Sequence, residues 1–185
     1  MNSPDVHFVR VGKGRLALYH RPRNADLPLL RKMGCTHIVT LLKESEGAQK
    51  IGSAAQNAGL VWIWLPVPNG DFPTGEVHQR LVDALPQLSN LLDEGASLLI
   101  HCSAGIHRTG TVAYGLLRWR GESREKALDL ISQMRDDTHN EMGEKRLRWG
   151  DSITSRATRQ KQSWIKILQD CVSGYWNKVF KTKTI

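Results

Sequence analysis

The amino-acid sequence predicts an α/β fold, with a central, largely parallel sheet and helices on both faces. Three observations lead to this prediction. Short, strand-like apolar runs alternate with longer segments whose apolar residues recur at helical spacing. Glycine, proline and polar residues separate these segments, as they do in turns. The chain has 185 residues, a length that favours one domain over two.

The N-terminal half of the sequence predicts four strands and two helices. The run Thr36–Leu42 is rich in β-branched residues, and Gly59 follows the second helical segment as a candidate C-cap. In chain order, the elements are strands at 8–11 and 15–19, a helix over 25–33, a strand at 36–42, a helix over 44–58 and a strand at 60–65.

The C-terminal half predicts four helices and one further strand. Apolar residues recur at helical spacing between Val77 and Leu92, with Pro86 as an expected kink, and Ser123 is a candidate N-cap. The elements are a helix over 77–92, a strand around residue 98, and helices over 111–120, 124–135 and 140–149.

The segment His101–Gly110 holds the residues that predict function. Cys102 and Arg108 occupy the two ends of a seven-residue turn between a strand-like and a helix-like run. Backbone N–H groups of such a turn converge on its centre, and the helix dipole adds positive potential there. A thiolate at Cys102 is stabilised in this setting, and Arg108 can direct two N–H groups to one oxyanion. The arrangement predicts phosphoryl transfer through a phosphocysteine.

The same segment resembles the Cys-x5-Arg-Thr signature of the cysteine-dependent protein tyrosine phosphatase superfamily. The order of elements over roughly residues 6–150 is similar to the compact dual-specificity branch, whose fold and shallow pocket imply activity on phosphotyrosine, phosphoserine and phosphothreonine. The positions that match the signature are His101, Cys102, Gly105, Arg108, Thr109 and Gly110.

The resemblance implies a role for each residue of the loop. Cys102 is the nucleophile, Arg108 holds the phosphate, and the Thr109 hydroxyl assists departure of the sulfur. Gly105 lets the backbone approach the phosphate without a Cβ. His101 orders the base of the loop and Gly110 supports it. The residues expected to bind substrate, mainly through backbone N–H groups, are Ser103, Ala104, Gly105, Ile106 and His107.

Cleavage of a phosphate ester needs a proton on the leaving oxygen, and Asp71 is the expected donor. Asp71 lies in the proline-rich loop 66–74, upstream of Cys102 as the family's general acid is. The alternative is that Asp71 only caps the helix that begins near Thr74. Compact members often position the hydrolytic water with a glutamine on a late helix, and the stretch 141–145 has none.

Composition limits the class of protein and its compartment. Cysteine occurs only at Cys35, Cys102 and Cys171, a sparse, odd set that favours a reducing, cytoplasmic location. We expect no cofactor and no metal, no membrane span and no secretory signal. The net charge of +8 indicates attraction to acidic partners, although no clear nucleic-acid motif accompanies it.

Two parts are expected: a catalytic domain over residues 1–150 and a basic, amphipathic helical extension over 151–185. Residues 141–185 contain ten Lys or Arg and four Asp or Glu. Apolar residues step by four from Trp164 to Phe180, which predicts a helix with a wide apolar face. Packing of this helix on the catalytic domain is the main expectation, and docking on a membrane surface or an acidic partner is the alternative.

The sequence therefore predicts a phosphatase whose partner is a phosphorylated protein. Phosphoinositide or RNA 5′-phosphate substrates are the first alternative, and a phosphate-reading module with little turnover is the second. A rhodanese-type sulfur-transfer loop would not need the arginine followed by threonine. A purely structural Cys102 would not need the strand, glycine and helix around it.

Overall fold

A five-stranded sheet forms the centre of the computed structural model, which describes residues 4–70 and 73–153. The strands are β1 (Val9–Val11), β2 (Gly14–Tyr19), β3 (His37–Thr40), β4 (Val61–Trp64) and β5 (Ser97–His101). The helices are α1 (Asp26–Lys32), α2 (Ala48–Asn57), α3 (Gly75–Asp93), α4 (His107–Trp119), α5 (Arg124–Met134), α6 (Asp136–Glu141) and α7 (144–153), and a 3₁₀ turn, Glu44–Glu46, precedes α2.

The order of strands across the sheet is β1-β2-β5-β3-β4. Only β1 pairs antiparallel, at one edge, and the other pairs are parallel. His101, the last residue of β5, lies between Tyr19 of β2 and Thr40 of β3. The carboxyl ends of three adjacent strands therefore meet at one edge, where open α/β sheets bind ligands.

Alternate residues of the central strand β5 face two different apolar cores. Leu98 and Ile100 belong to the larger core with residues of α3, α4 and α5. Leu99 belongs to the smaller core with Leu27 and Leu30 of α1. Because successive side chains of a strand point to opposite faces, helices cover the sheet on both sides. The α/β prediction is confirmed.

Three predicted helix boundaries were wrong, and glycine accounts for two of them. Gly47, with φ +84°, separates the 3₁₀ turn from α2 inside the predicted helix 44–58. Gly143, with φ +73°, separates α6 from α7, so the predicted helix 140–149 is two helices. The helix after the cysteine loop begins at His107, four residues before the predicted start.

The predicted domain boundary after residue 150 falls inside α7. The Asp151 carboxylate accepts a 2.7 Å hydrogen bond from the Tyr114 hydroxyl, and Ile153 is buried in the larger core. The rest of the predicted extension, residues 154–185, lies outside the described residues. Among the helices that are described, none combines the length and apolar character needed to cross a membrane.

Candidate active site

The loop between β5 and α4 packs closely against the end of β2. The Arg21 amide donates a 3.0 Å hydrogen bond to the Ser103 carbonyl. Gly105 has φ +77°, and a Cβ placed on it would lie 2.5 Å from the Tyr19 carbonyl oxygen. Only glycine fits this position, because both the backbone conformation and the space exclude a side chain. The loop thereby reaches the N-terminus of α4 in a tight turn.

Cys102 lies at the base of this loop and is 3% exposed. The Gly105 amide donates to its sulfur at 3.3 Å. Burial raises the pKa of the Cys102 thiol, but the Thr109 hydroxyl and amide, the Gly105 amide and the Arg108 charge together hold that pKa below its ordinary value. The buried Thr109 hydroxyl finds no other hydrogen-bond partner in the described part of the chain. The environment therefore favours a thiolate.

Arg108 projects from the first turn of α4 and is buried. Its two terminal nitrogens contact the two carboxylate oxygens of Glu46 at 2.8 and 3.0 Å. Nη1 also donates to the Val67 carbonyl at 3.2 Å, and Nη2 to the Ser103 hydroxyl at 3.3 Å. The hydrogen-bonded guanidinium lowers the pKa of Glu46, so this pair is charged on both sides.

Sequence reasoning did not single out Glu46. This glutamate nevertheless orients the Arg108 guanidinium, because its carboxylate contacts both terminal nitrogens. The Lys43 amide donates to its Oε2 at 2.9 Å. The Arg21 side chain donates to its carbonyl at 2.8 Å. Gly47 then turns the chain into α2. The glutamate is thus held at both its carboxylate and its backbone, which restricts where Arg108 can point.

A chain of hydrogen bonds supports Cys102 from inside the sheet. The imidazole Nδ1 of His101 lies 3.2 Å from the Cys102 carbonyl, and Nε2 lies 2.8 Å from the Thr40 hydroxyl. The Trp62 indole donates to the same hydroxyl at 2.9 Å. Since a carbonyl only accepts, we assign the proton to Nδ1, and Nε2 then accepts from Thr40. Burial lowers the pKa of His101 to about 4, so the ring is neutral.

The structure brings most of the predicted site residues to one loop. Ser103, Ala104 and His107 are exposed, Ile106 is half-buried, and Gly105, Thr109 and Gly110 are buried. His107 begins α4, so the helix dipole is directed at the loop. Asp71 lies outside the described residues, and its role as the acid stays a prediction.

Comparison with known proteins identifies the family. A model described as "Swiss Army Knife protein, DSP-PTPase phosphatase domain" matches residues 6–162. The chain belongs to this family. The resemblance to the dual-specificity branch of the protein tyrosine phosphatases is thus confirmed.

Individual relatives agree with this assignment at modest identity. Dual specificity protein phosphatase 5 of Rattus norvegicus is 30% identical over 100 residues, which are 54% of this chain and 24% of that protein. Protein tyrosine phosphatase type IVA 3 of Bos taurus is 28% identical over 141 residues, 73% of this chain and 78% of that protein. The chain thus spans about a quarter of the length of the first relative.

A solved structure shows the same fold. Kinase associated phosphatase, crystallised with serine in place of its catalytic-site cysteine, superposes with a TM-score of 0.69 at 17% identity. The superposition covers 85% of this chain and 98% of that one. Nearly the whole of that phosphatase therefore has a counterpart in this chain.

Proposed function

We propose that this protein is a cysteine-dependent phosphatase that hydrolyses phosphotyrosine, phosphoserine and phosphothreonine on proteins. One observation carries the proposal: a thiol with a lowered pKa and a buried arginine fork share one loop at the N-terminus of α4. The thiolate is the nucleophile, and the guanidinium and loop amides stabilise the charge on the transferred phosphoryl group.

The first half of the reaction transfers the phosphoryl group to sulfur. The Cys102 thiolate attacks phosphorus, and the bond from phosphorus to the ester oxygen breaks. Asp71 gives its proton to that oxygen, so the product leaves as an alcohol or phenol. Arg108 and the amides of the loop bind the phosphoryl oxygens throughout.

The second half hydrolyses the phosphocysteine. The Asp71 carboxylate takes a proton from water, the water oxygen attacks phosphorus, and the bond from phosphorus to sulfur breaks. The Thr109 hydroxyl stabilises the departing thiolate, which restores the resting enzyme. The Thr109 hydroxyl has no other hydrogen-bond partner among the described residues, which supports this role.

The chain around Asp71 supports its assignment as the acid. The Val67 carbonyl accepts a hydrogen bond from Arg108, so the proline-rich loop starts beside the anion site. Asp71 follows Val67 by four residues, a stretch that spans at most about 14 Å.

A thiolate nucleophile also supports the proposal of a reducing, cytoplasmic location.

The first test of the function is phosphate release from a panel of substrates. We expect the wild-type protein to act on phosphotyrosyl and phosphothreonyl peptides in preference to phosphoinositides and a 5′-triphosphorylated RNA. Cys102→Ser is the blank. Preference for the lipid or the RNA would leave the cysteine-dependent mechanism in place but would contradict phosphoproteins as the substrate class.

Asp71→Asn tests the acid on the same panel. A phenolate leaves without much proton transfer, whereas an alkoxide does not, so the variant should slow phosphothreonine hydrolysis more than phosphotyrosine hydrolysis. Asp83→Asn, on the exposed face of α3, is the matched control. Equal losses on both substrates would remove Asp71 from the mechanism.

A further inference from the structure

Thr138 lies on α6, against the outer side of the cysteine loop, and is completely buried. Its hydroxyl donates a 2.6 Å hydrogen bond to the Gly105 carbonyl. Its methyl group packs against α4, where a Cβ on Gly110 would lie 3.1 Å away. Thr138 therefore contacts the backbone of the loop from its outer side, where α6 packs.

The hydrogen bond at Gly105 determines the direction of the next amide. The described part of the chain contains only trans peptide bonds, and in a trans peptide the C=O and the following N–H point in opposite directions. Because the Gly105 carbonyl points outward to α6, the Ile106 N–H points inward. An inward N–H at this position can donate to a bound oxyanion.

Glycine alone does not hold that peptide in place. Rotation of the peptide between Gly105 and Ile106 changes ψ of Gly105 and φ of Ile106, and Gly105 has no side chain to restrict its ψ. Ile106 has φ −108°, so this peptide is held by Ile106 and by any partner of the Gly105 carbonyl. Thr138 supplies that partner.

We propose that Thr138 is a positioning residue that keeps the Ile106 N–H directed at the phosphoryl oxygens. This inference rests on the proposed function, because it concerns the anion-binding state of the same loop. The amide of Gly105 belongs to the preceding peptide and contacts the Cys102 sulfur separately. Loss of the Thr138 hydroxyl should thus affect anion binding more than thiolate formation.

The test compares Thr138→Val with Thr138→Ser in the full chain. Valine keeps the shape and the methyl contact but cannot donate, whereas serine keeps the hydroxyl. Tungstate affinity, measured by calorimetry, reports the oxyanion cradle without turnover. Iodoacetamide alkylation of Cys102 as a function of pH reports the thiol pKa, and thermal unfolding reports the integrity of the fold.

We expect Thr138→Val to weaken tungstate binding about 10- to 100-fold, the factor for one hydrogen bond to a charged group. Its alkylation profile should stay close to that of the wild type, and Thr138→Ser should restore the affinity. Wild-type affinity in the valine variant, or an equal loss in the serine variant, would overturn the inference. A wild-type protein that binds tungstate but hydrolyses no phosphate ester would defeat only the proposed function.

Discussion

Cys35 and Cys102 lie at opposite ends of the central strand β5, and both are buried. The Cys35 sulfur contacts the carbonyl of Ser97, where β5 begins, and Cys102 follows its last residue. Burial raises the pKa of Cys35 to about 12, whereas the pKa of Cys102 lies below its ordinary value. Both thiols are buried, yet their pKa values shift in opposite directions at the two ends of one strand.

The groups that face each sulfur explain the difference. The Cys35 thiol lies against the carbonyl oxygens of His37 and Ser97, which accept only from a protonated thiol. The Cys102 sulfur meets amide and hydroxyl donors and a guanidinium. Desolvation raises the pKa at both sites; at Cys35 it dominates, whereas at Cys102 the hydrogen-bond donors and the Arg108 charge outweigh it.

The largest expected effect comes from replacing a cysteine by serine, and it should occur at Cys102 but not at Cys35. Cys102→Ser should lower turnover of an aryl phosphate by about 10⁴-fold or more, because a serine hydroxyl is far less acidic than a thiol and supplies no anionic nucleophile here. Cys35→Ser should leave turnover unchanged, since Cys35 lies on the far side of the sheet. Steady-state phosphate release by the two purified variants measures both effects.

Alkylation of the same variants sharpens the comparison. At pH 6.5, iodoacetamide should modify the Cys171→Ser protein once, and adding Cys102→Ser should remove that modification. Because Cys171 lies outside the described residues, its contribution is removed by Cys171→Ser in every sample. Equal reactivity of Cys35 and Cys102 in the folded protein would contradict the contrast between the two sites.

A smaller effect is expected at the ion pair that directs Arg108. In Glu46→Gln, one amide N–H would face the guanidinium, so the two-point contact cannot form. We expect kcat/KM to fall about 100-fold, a loss of roughly 3 kcal/mol, typical of a broken buried charged contact. The loss should appear mainly in kcat, because a guanidinium that Glu46 no longer orients stabilises less of the charge that develops in the transition state.

Asp93→Asn provides the matched control for the glutamate. Asp93 pairs with Arg120 at 2.7 Å, but its side chain is 58% exposed, against 21% for Glu46. An exposed pair contributes little, so this variant should retain wild-type activity and stability. If both variants lost activity to the same extent, the effect of Glu46 would not be specific to the site.

The sequence predicted the parts of the site that are close together along the chain. The loop from His101 to Gly110 could be found because its cysteine, glycine and arginine follow one another between a strand and a helix. The alternation of apolar runs predicted the sheet and most helices for the same local reason. These features leave a periodic or contiguous pattern in the sequence.

Contacts between distant segments left no such pattern. Glu46 and Arg108 are 62 residues apart, and Thr138 and Gly105 are 33 apart. Nothing in the spacing of an ordinary glutamate or threonine distinguishes these from the surface residues beside them. The breaks at Gly47 and Gly143 were also missed, since a single glycine ends a helix only where the chain adopts positive φ.

The smallest expected effect is on the pH dependence of stability. It concerns His101, at the carboxyl end of β5, and His37, at the start of β3. Burial lowers the pKa of His101 to about 4, below its ordinary value of 6.5. As pH falls from 6.5 to 5, the unfolded chain takes up a proton that the folded protein excludes. Stability therefore falls, by about 2 kcal/mol at pH 5.

Urea unfolding of His101→Gln at pH 7.5 and pH 5 isolates this contribution, because glutamine can donate to the Cys102 carbonyl and accept from Thr40 without titrating. The wild type should lose about 2 kcal/mol more than the variant between the two pH values. His37→Gln, beside Cys35, should remove a smaller share, since burial lowers the pKa of His37 but that side chain is only half-buried. Parallel pH dependence in the wild type and His101→Gln would mean that a charged imidazole is tolerated beneath the loop. The neutral hydrogen-bond chain through Thr40 to Trp62 would then be the wrong description of how the active end of β5 is held.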